Sequence, residues 1–194
     1  QPVHCFVVIP SVLVSYYGLS KESDNPTMSD LAQQFCPNSH DTPISALCWD
    51  PDTGVRASAD QSGMVAVTRR GETVPGLLFH PGGPIDRSLA LLRGGALLAI
   101  GDEHGSVGVY KTKDGNPVFR ELREPPEGRV RAMRSIAISP NGERLASLAA
   151  DGLIRLWDLT EGRRISAWKG FTGRSLDFDS LGERLLCLNE AGNP

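Results

Sequence analysis

The chain has 194 residues, 40% hydrophobic and 22% charged, a composition that excludes a collagen-like or low-complexity chain and suits a globular domain with a sizeable core. Its net charge of −3 speaks against a nucleic-acid or polyanion partner held by bulk charge. The four cysteines, Cys5, Cys36, Cys48 and Cys187, form no C-x-x-C pair, so zinc binding and thioredoxin-like redox chemistry are not expected.

Residues 1–19 are apolar, but His4, Pro10 and two serines interrupt them and no basic residue precedes them. The run is short for a membrane span and lacks the charged start of a signal peptide. Two strands, His4–Pro10 and Val12–Tyr17, are expected there, as part of a preceding partial blade-like unit. Residues 20–39 are polar and turn-rich and read as a loop or insert, with a short helix possible over Ser29–Phe35.

From residue 40 onward the chain repeats. Ser45, Ser88, Ser135 and Ser175 each open a short apolar run, at steps of 43, 47 and 40 residues. Gly63, Gly105, Gly152 and Gly192 follow them, at steps of 42, 47 and 40. Short strands at a period in the low-to-mid forties are the signature of propeller blades. The units are 40–79, 80–122, 123–168 and a truncated 169–194, after which the chain stops, as a piece of a longer protein would. Asn141-Gly142 and Asp151-Gly152 are hairpin turns, because these residues tolerate positive φ. Outer fourth strands are predicted near Val74–Phe79, Val118–Leu122 and Arg164–Trp168.

The third unit carries a family resemblance. Leu153–Leu159 reads Leu-Ile-Arg-Leu-Trp-Asp-Leu and follows Leu145-Ala146-Ser147 and Asp151-Gly152. This resembles a blade of the WD40-repeat β-propeller family, with Trp157-Asp158 as the signature dipeptide. Ser147, Asp151, Gly152, Trp157 and Asp158 are the residues that match its motif. The resemblance implies an all-β fold of four-stranded antiparallel blades, from a propeller of seven or more blades. The first two units lack Trp-Asp, and the usual Gly-His survives only as Ser39-His40. The family's Trp–Ser/Thr–His–Asp hydrogen-bond set is therefore expected to be incomplete in every unit, leaving apolar packing between sheets to hold the blades.

Nothing in the sequence assembles chemistry. The histidines His4, His40, His80 and His104 lack metal-ligand spacing, and no phosphate-loop, dinucleotide or nucleophile-elbow motif occurs. The innermost strands, Ser88–Leu92, Ser135–Ser139 and Ser175–Phe178, are mostly apolar with Asp177 their only charge, which opposes a channel active site. Arg123, Arg129, Arg131 and Arg134 cluster in the connection into the third unit. They read either as a site for an acidic or phosphorylated peptide or as a solvated loop paired with Glu121, Glu124 and Glu127. The resemblance implies a non-catalytic protein-interaction scaffold without cofactor or metal, not membrane-bound, in a hetero-oligomeric complex. Its partners are other proteins; association with nucleic acid in a ribonucleoprotein or chromatin complex is the alternative, and a propeller enzyme a more remote one. Four free thiols and the absence of an N-x-[ST] acceptor point to the cytoplasm or nucleus.

Overall fold

The computed structural model describes residues 40–82, 85–122, 132–170 and 173–188, with the backbone alone at 85–87 and 120–122. The strands expected within 1–19, the loop or insert at 20–39, and Gly192 lie outside these residues.

Four antiparallel sheets follow one another along the chain. The first holds β1 (Ile44–Trp49), β2 (Arg56–Asp60), β3 (Val65–Thr68) and β4 (Leu77–Phe79). The second holds β5 (Ile85–Leu91), β6 (Leu97–Asp102), β7 (Val107–Lys111) and β8 (Pro117–Leu122). The third holds β9 (Met133–Ile138), β10 (Arg144–Ala149), β11 (Leu153–Asp158) and β12 (Arg163–Lys169). A two-stranded sheet of β13 (Ser175–Phe178) and β14 (Leu185–Leu188) comes last. Within each sheet the strands pair in sequence order, as a meander, and no helix occurs among the described residues. These are propeller blades, as the repeat implied. The hairpins between second and third strands turn on Gly63, Gly105 and Gly152, at φ of 90°, 79° and 76°, a conformation that glycine reaches without a Cβ penalty.

The blades stack through unlike faces. Blade one offers Ala57, Ala59, Ala46 and Cys48 to Leu89, Leu91, Leu98 and Ile100 of blade two. Blade two offers Ala90 and Ala99 to Ile136, Ile138, Leu145 and Trp157 of blade three. Blade three offers Ala137, Ala146 and Leu148 to Leu176 of the last sheet, with Phe178, Leu185 and Cys187 packed beside it. Small side chains on one face let the next sheet's large ones approach closely, which fills the seam at the density of a protein interior.

Polar bonds pin the same seams. The buried Ser88 hydroxyl donates to the Met133 carbonyl across 3.2 Å. Ser135 Oγ accepts from the Leu176 amide at 2.9 Å. The Ser45 member of the predicted serine series departs from this pattern. A bulge between Ile44 and Ala46 shifts the register, so Ala46, not Ser45, stands where Ser88 and Ser135 stand. The first seam is pinned instead at its other end, where Asp50 Oδ2 accepts the Gly94 amide at 3.1 Å.

The last sheet shows what an uncovered face looks like. Leu186 and Leu188 occupy the positions of Ala146 and Leu148 in the register, yet they are 50% and 42% exposed. Trp168, paired with Ile154, is exposed on the same side of blade three, beyond the reach of the two-stranded sheet.

Gly101 tests the seam. A Cβ there would lie 2.6 Å from Met133 Cγ and 2.7 Å from Ile136 Cδ1, so the blades must part to admit it. Gly101→Ala is expected to destabilise the chain by about 1–3 kcal/mol, read as a lower urea midpoint; an unchanged midpoint would show that the seam is not tightly packed.

Candidate functional site

The turns at Asp60–Gly63, Asp102–Gly105 and Asp151–Gly152 share one end of the blades with the segments that enter the first strands. Backbone bonds join the two sets: Gln61 N to Pro43 O at 3.1 Å and Ala150 N to Ala132 O at 2.9 Å. His80, in the segment leading to β5, adds a bond from its ring to the Ser62 carbonyl at 2.7 Å.

The motif residues of blade three are all described. Trp157 Nε1 donates to Ser147 Oγ at 2.9 Å, both buried. Asp151 accepts the Leu153 amide at 2.9 Å, and Arg155 forms a salt bridge to it at 2.7 Å. Asp158 accepts the Thr160 and Glu161 amides at 2.8 and 3.0 Å, closing the turn into β12. Gly152 supplies the left-handed residue of its turn. Arg155 thus does for Asp151 what a histidine would do in the family pattern, and its side chain is 6% exposed.

Blade one joins His40, at the place of the family's histidine, to partners that the sequence analysis did not name. His40 Nδ1 lies 3.0 Å from Asp60 Oδ2, and its Nε2 lies 2.7 Å from Ser58 Oγ. With Nδ1–H donating to Asp60, Nε2 accepts the Ser58 hydroxyl proton. Thr68, fully buried, stands where Trp157 stands. The set remains incomplete, but three of its four members are joined. A sequence signal existed: Ala57-Ser58 precedes Gly63 by the same interval at which Ala146-Ser147 precedes Gly152. Asp60 sits two residues earlier than Asp151 relative to its glycine, and this displacement hid it.

A serine, a histidine and an aspartate in this order have the geometry of a hydrolase triad. Here Ser58 is wholly buried, Asp60 is 1% exposed and the His40 side chain 3%, so no substrate carbonyl can reach the hydroxyl. The arrangement braces the segment entering β1 against β2. Among the described residues no group of three His, Cys, Asp or Glu side chains is placed to hold a metal, and no helix is long and apolar enough to cross a membrane. Cys48 and Cys187 are in no disulfide; Cys48 is buried in the first seam, and burial raises the Cys187 pKa.

Of the four arginines expected to form a peptide site, Arg123, Arg129 and Arg131 lie outside the described residues. Arg134 lies on β9 and is exposed. The innermost strands also begin earlier than their apolar runs suggested, at Ile85 and Met133. This brings Asp86, Arg87 and Arg134 into strands read from sequence as carrying only Asp177 as a charge.

Four-stranded meanders stacked face to face define a β-propeller. Residues 93–180 match the family model of the anaphase-promoting complex subunit 4 WD40 domain. A solved structure, "Structure of U3-55K", superposes with a TM-score of 0.60 at 18% identity, over 71% of this chain and 43% of that one. The chain therefore spans less than half of the length of that structure. The superposition shows the propeller fold, and residues 93–180 are similar to a WD40 domain, in agreement with the resemblance read from the third unit.

Burial raises the carboxyl pKa of Asp60, but the Ser62 hydroxyl, His40 and the Met64 amide outweigh it and hold the group below its ordinary value. At Asp151 burial is likewise outweighed, by the Arg155 guanidinium and the Leu153 amide. Because both folded-state values are lowered, their stabilisation is present above the unfolded carboxylate pKa near about 4 and is lost as pH falls through the folded values. Asp60→Asn/Asp151→Asn is expected to lose less stability than wild type between neutral and acid pH in urea titrations; parallel curves would assign the acid sensitivity elsewhere. Trp157→Phe replaces the buried indole with a smaller phenyl ring and strips Ser147 Oγ of its donor, and is expected to cost about 1–3 kcal/mol at neutral pH. No change in the unfolding midpoint would show that neither the bond nor the indole's packing holds blade three.

Proposed function

We propose that the chain is a non-catalytic protein-interaction scaffold, part of a WD40 propeller that serves as a subunit or domain of a larger multiprotein complex in the cytoplasm or nucleus. The observation that carries this reading is the fate of the polar residues. Each buried set that resembles catalytic machinery is consumed in bracing the blades, and the seams are filled with apolar side chains. What stays open is the turn-bearing end of the blades and the inner strand edges. Loops and edges positioned by a rigid frame are suited to recognition, and the WD40 family generally uses its propellers to bind other proteins.

The match to a subunit of the anaphase-promoting complex supports membership of a large assembly without identifying which one, since fold does not specify partner. The intact protein, purified by affinity from cells and analysed by mass spectrometry and size exclusion, is expected to emerge with a fixed-stoichiometry set of proteins. Elution as a lone chain that turns over a small molecule would overturn the reading.

A further inference from the structure

Asparagine occurs twice among the described residues, and the residues that follow differ in what they can do. Asn116 precedes Pro117, whose ring nitrogen carries no proton to give up. Asn141 precedes Gly142, which has no side chain to keep its backbone nitrogen from the Asn141 side chain. Asn141 is exposed, in the turn between β9 and β10. In that turn Gly142 has a φ of 74°, and its amide donates to the Ser139 carbonyl at 2.8 Å.

Three bonds hold the Asn141 amide. Its Oδ1 accepts the Ser139 hydroxyl at 2.7 Å and the Glu143 amide at 3.1 Å. Its Nδ2 donates to Glu143 Oε2 at 2.9 Å. The last sheet shows that the turn does not need these bonds to form. Leu181 stands there at the place of Asn141. Gly182 repeats the geometry, with a φ of 72° and an amide bond to the Asp179 carbonyl at 2.9 Å. The three bonds therefore serve to fix the side chain.

We propose that Asn141 is a self-modifying site, which deamidates through Gly142 when the turn opens and is held back by these bonds while it is closed. The Gly142 nitrogen attacks Asn141 Cγ, and the new N–Cγ bond closes a succinimide ring. The Cγ–Nδ2 bond breaks, and Nδ2 leaves as ammonia with the proton that Gly142 gives up. Water then opens either carbonyl–nitrogen bond of the ring, leaving aspartate or, with the chain rerouted through the side chain, isoaspartate. In the closed turn the Gly142 N–H is engaged by Ser139 and Asn141 Cγ cannot swing onto it.

Each product carries a new negative charge. Aspartate presents an oxygen where Nδ2 donated, so two carboxylates face each other without a proton between them. Isoaspartate adds a methylene to the backbone of a tight turn. The turn touches both neighbouring blades: a Cβ on Gly142 would lie 3.1 Å from Leu92 Cδ2, and one on Gly182 would lie 3.3 Å from Pro140 Cδ. The conversion therefore loosens blade three at both of its seams.

The test incubates the 194-residue chain at mildly alkaline pH, folded and in guanidinium chloride. Trypsin cuts after Arg134 and Arg144, which isolates Asn141 on one peptide. Liquid chromatography with mass spectrometry resolves the amide, aspartate and isoaspartate forms of that peptide. The folded chain is expected to convert at least about tenfold more slowly than the unfolded one, since the reaction waits for the turn to open. Glu143→Ala removes the acceptor of Nδ2 at an exposed position. It is expected to speed conversion of the folded chain by about two- to tenfold relative to its own unfolded rate, as is Ser139→Ala. The urea midpoint shows which variants are folded, and Glu143→Ala decides alone if Ser139→Ala is not. Equal rates in folded and unfolded chains, no conversion of the folded chain, or an unchanged rate in a folded variant would overturn the proposal. Converted chain, separated by ion exchange through its added charge, is expected to unfold at lower urea than fresh chain. An equal midpoint would overturn the loosening of blade three.

Discussion

The structure depends on one constraint, that each blade must bury a face too flat and too small to stand alone. An antiparallel four-stranded sheet has two faces, and here both are apolar in the inner blades. Alanine and glycine on one face meet leucine and isoleucine on the next, so each seam closes only when the neighbour is present. Leu98, Leu145 and Leu148 are wholly buried, and each such side chain contributes on the order of 1.5–3 kcal/mol by leaving water. The contrast between Ala146 and Leu186, equivalent in register but buried and exposed respectively, shows the same position with and without a covering blade.

Because the seams hold the fold, the polar bracing has been free to vary. Blade one uses His40, Ser58 and Asp60. Blade three uses Trp157 with Ser147 and, separately, Arg155 with Asp151. Blade two has Ile100 and Tyr110 where blade three has Ser147 and Trp157, and the Tyr110 ring lies 5.3 Å from Phe79 of blade one. The first ties the segment that enters β1 to β2, the second joins β10, β11 and the turn between them, and the third reaches across to the neighbouring blade. With the seams occupied by packing and Asp60 and Asp151 occupied by bracing, the turns between second and third strands stay exposed at Gln61, Ser62, Glu103 and His104.

The repeat, the hairpin turns and the blade class were legible in the sequence because they rest on local signals: alternation with period two, glycine at positive φ and a Trp-Asp dipeptide. The small-against-large seam was not, since a buried strand with both faces covered reads as a continuous apolar run and hides which side is which. Ser45 shows the limit at the level of one residue. Its spacing fits the serine series, but a bulge moves it out of register and puts Ala46 in its place. The bracing of His40 by Asp60 joins residues twenty positions apart, and no local pattern reports such a contact. Arg134 was read as one of a loop cluster; it lies on β9, because the innermost strand begins earlier than its apolar run suggested.

Amide hydrogen exchange on the 194-residue chain tests the dependence on stacking most directly, because protection reports the free energy of local opening strand by strand. The amides of β10, paired on both edges in a blade covered on both faces, are expected to exchange only through global unfolding, while the hydrogen-bonded amides of β14, whose Leu186 and Leu188 are exposed, exchange faster. Protection of the hydrogen-bonded amides of β14 equal to that of β10 would contradict stacking through unlike faces as the source of the fold's stability.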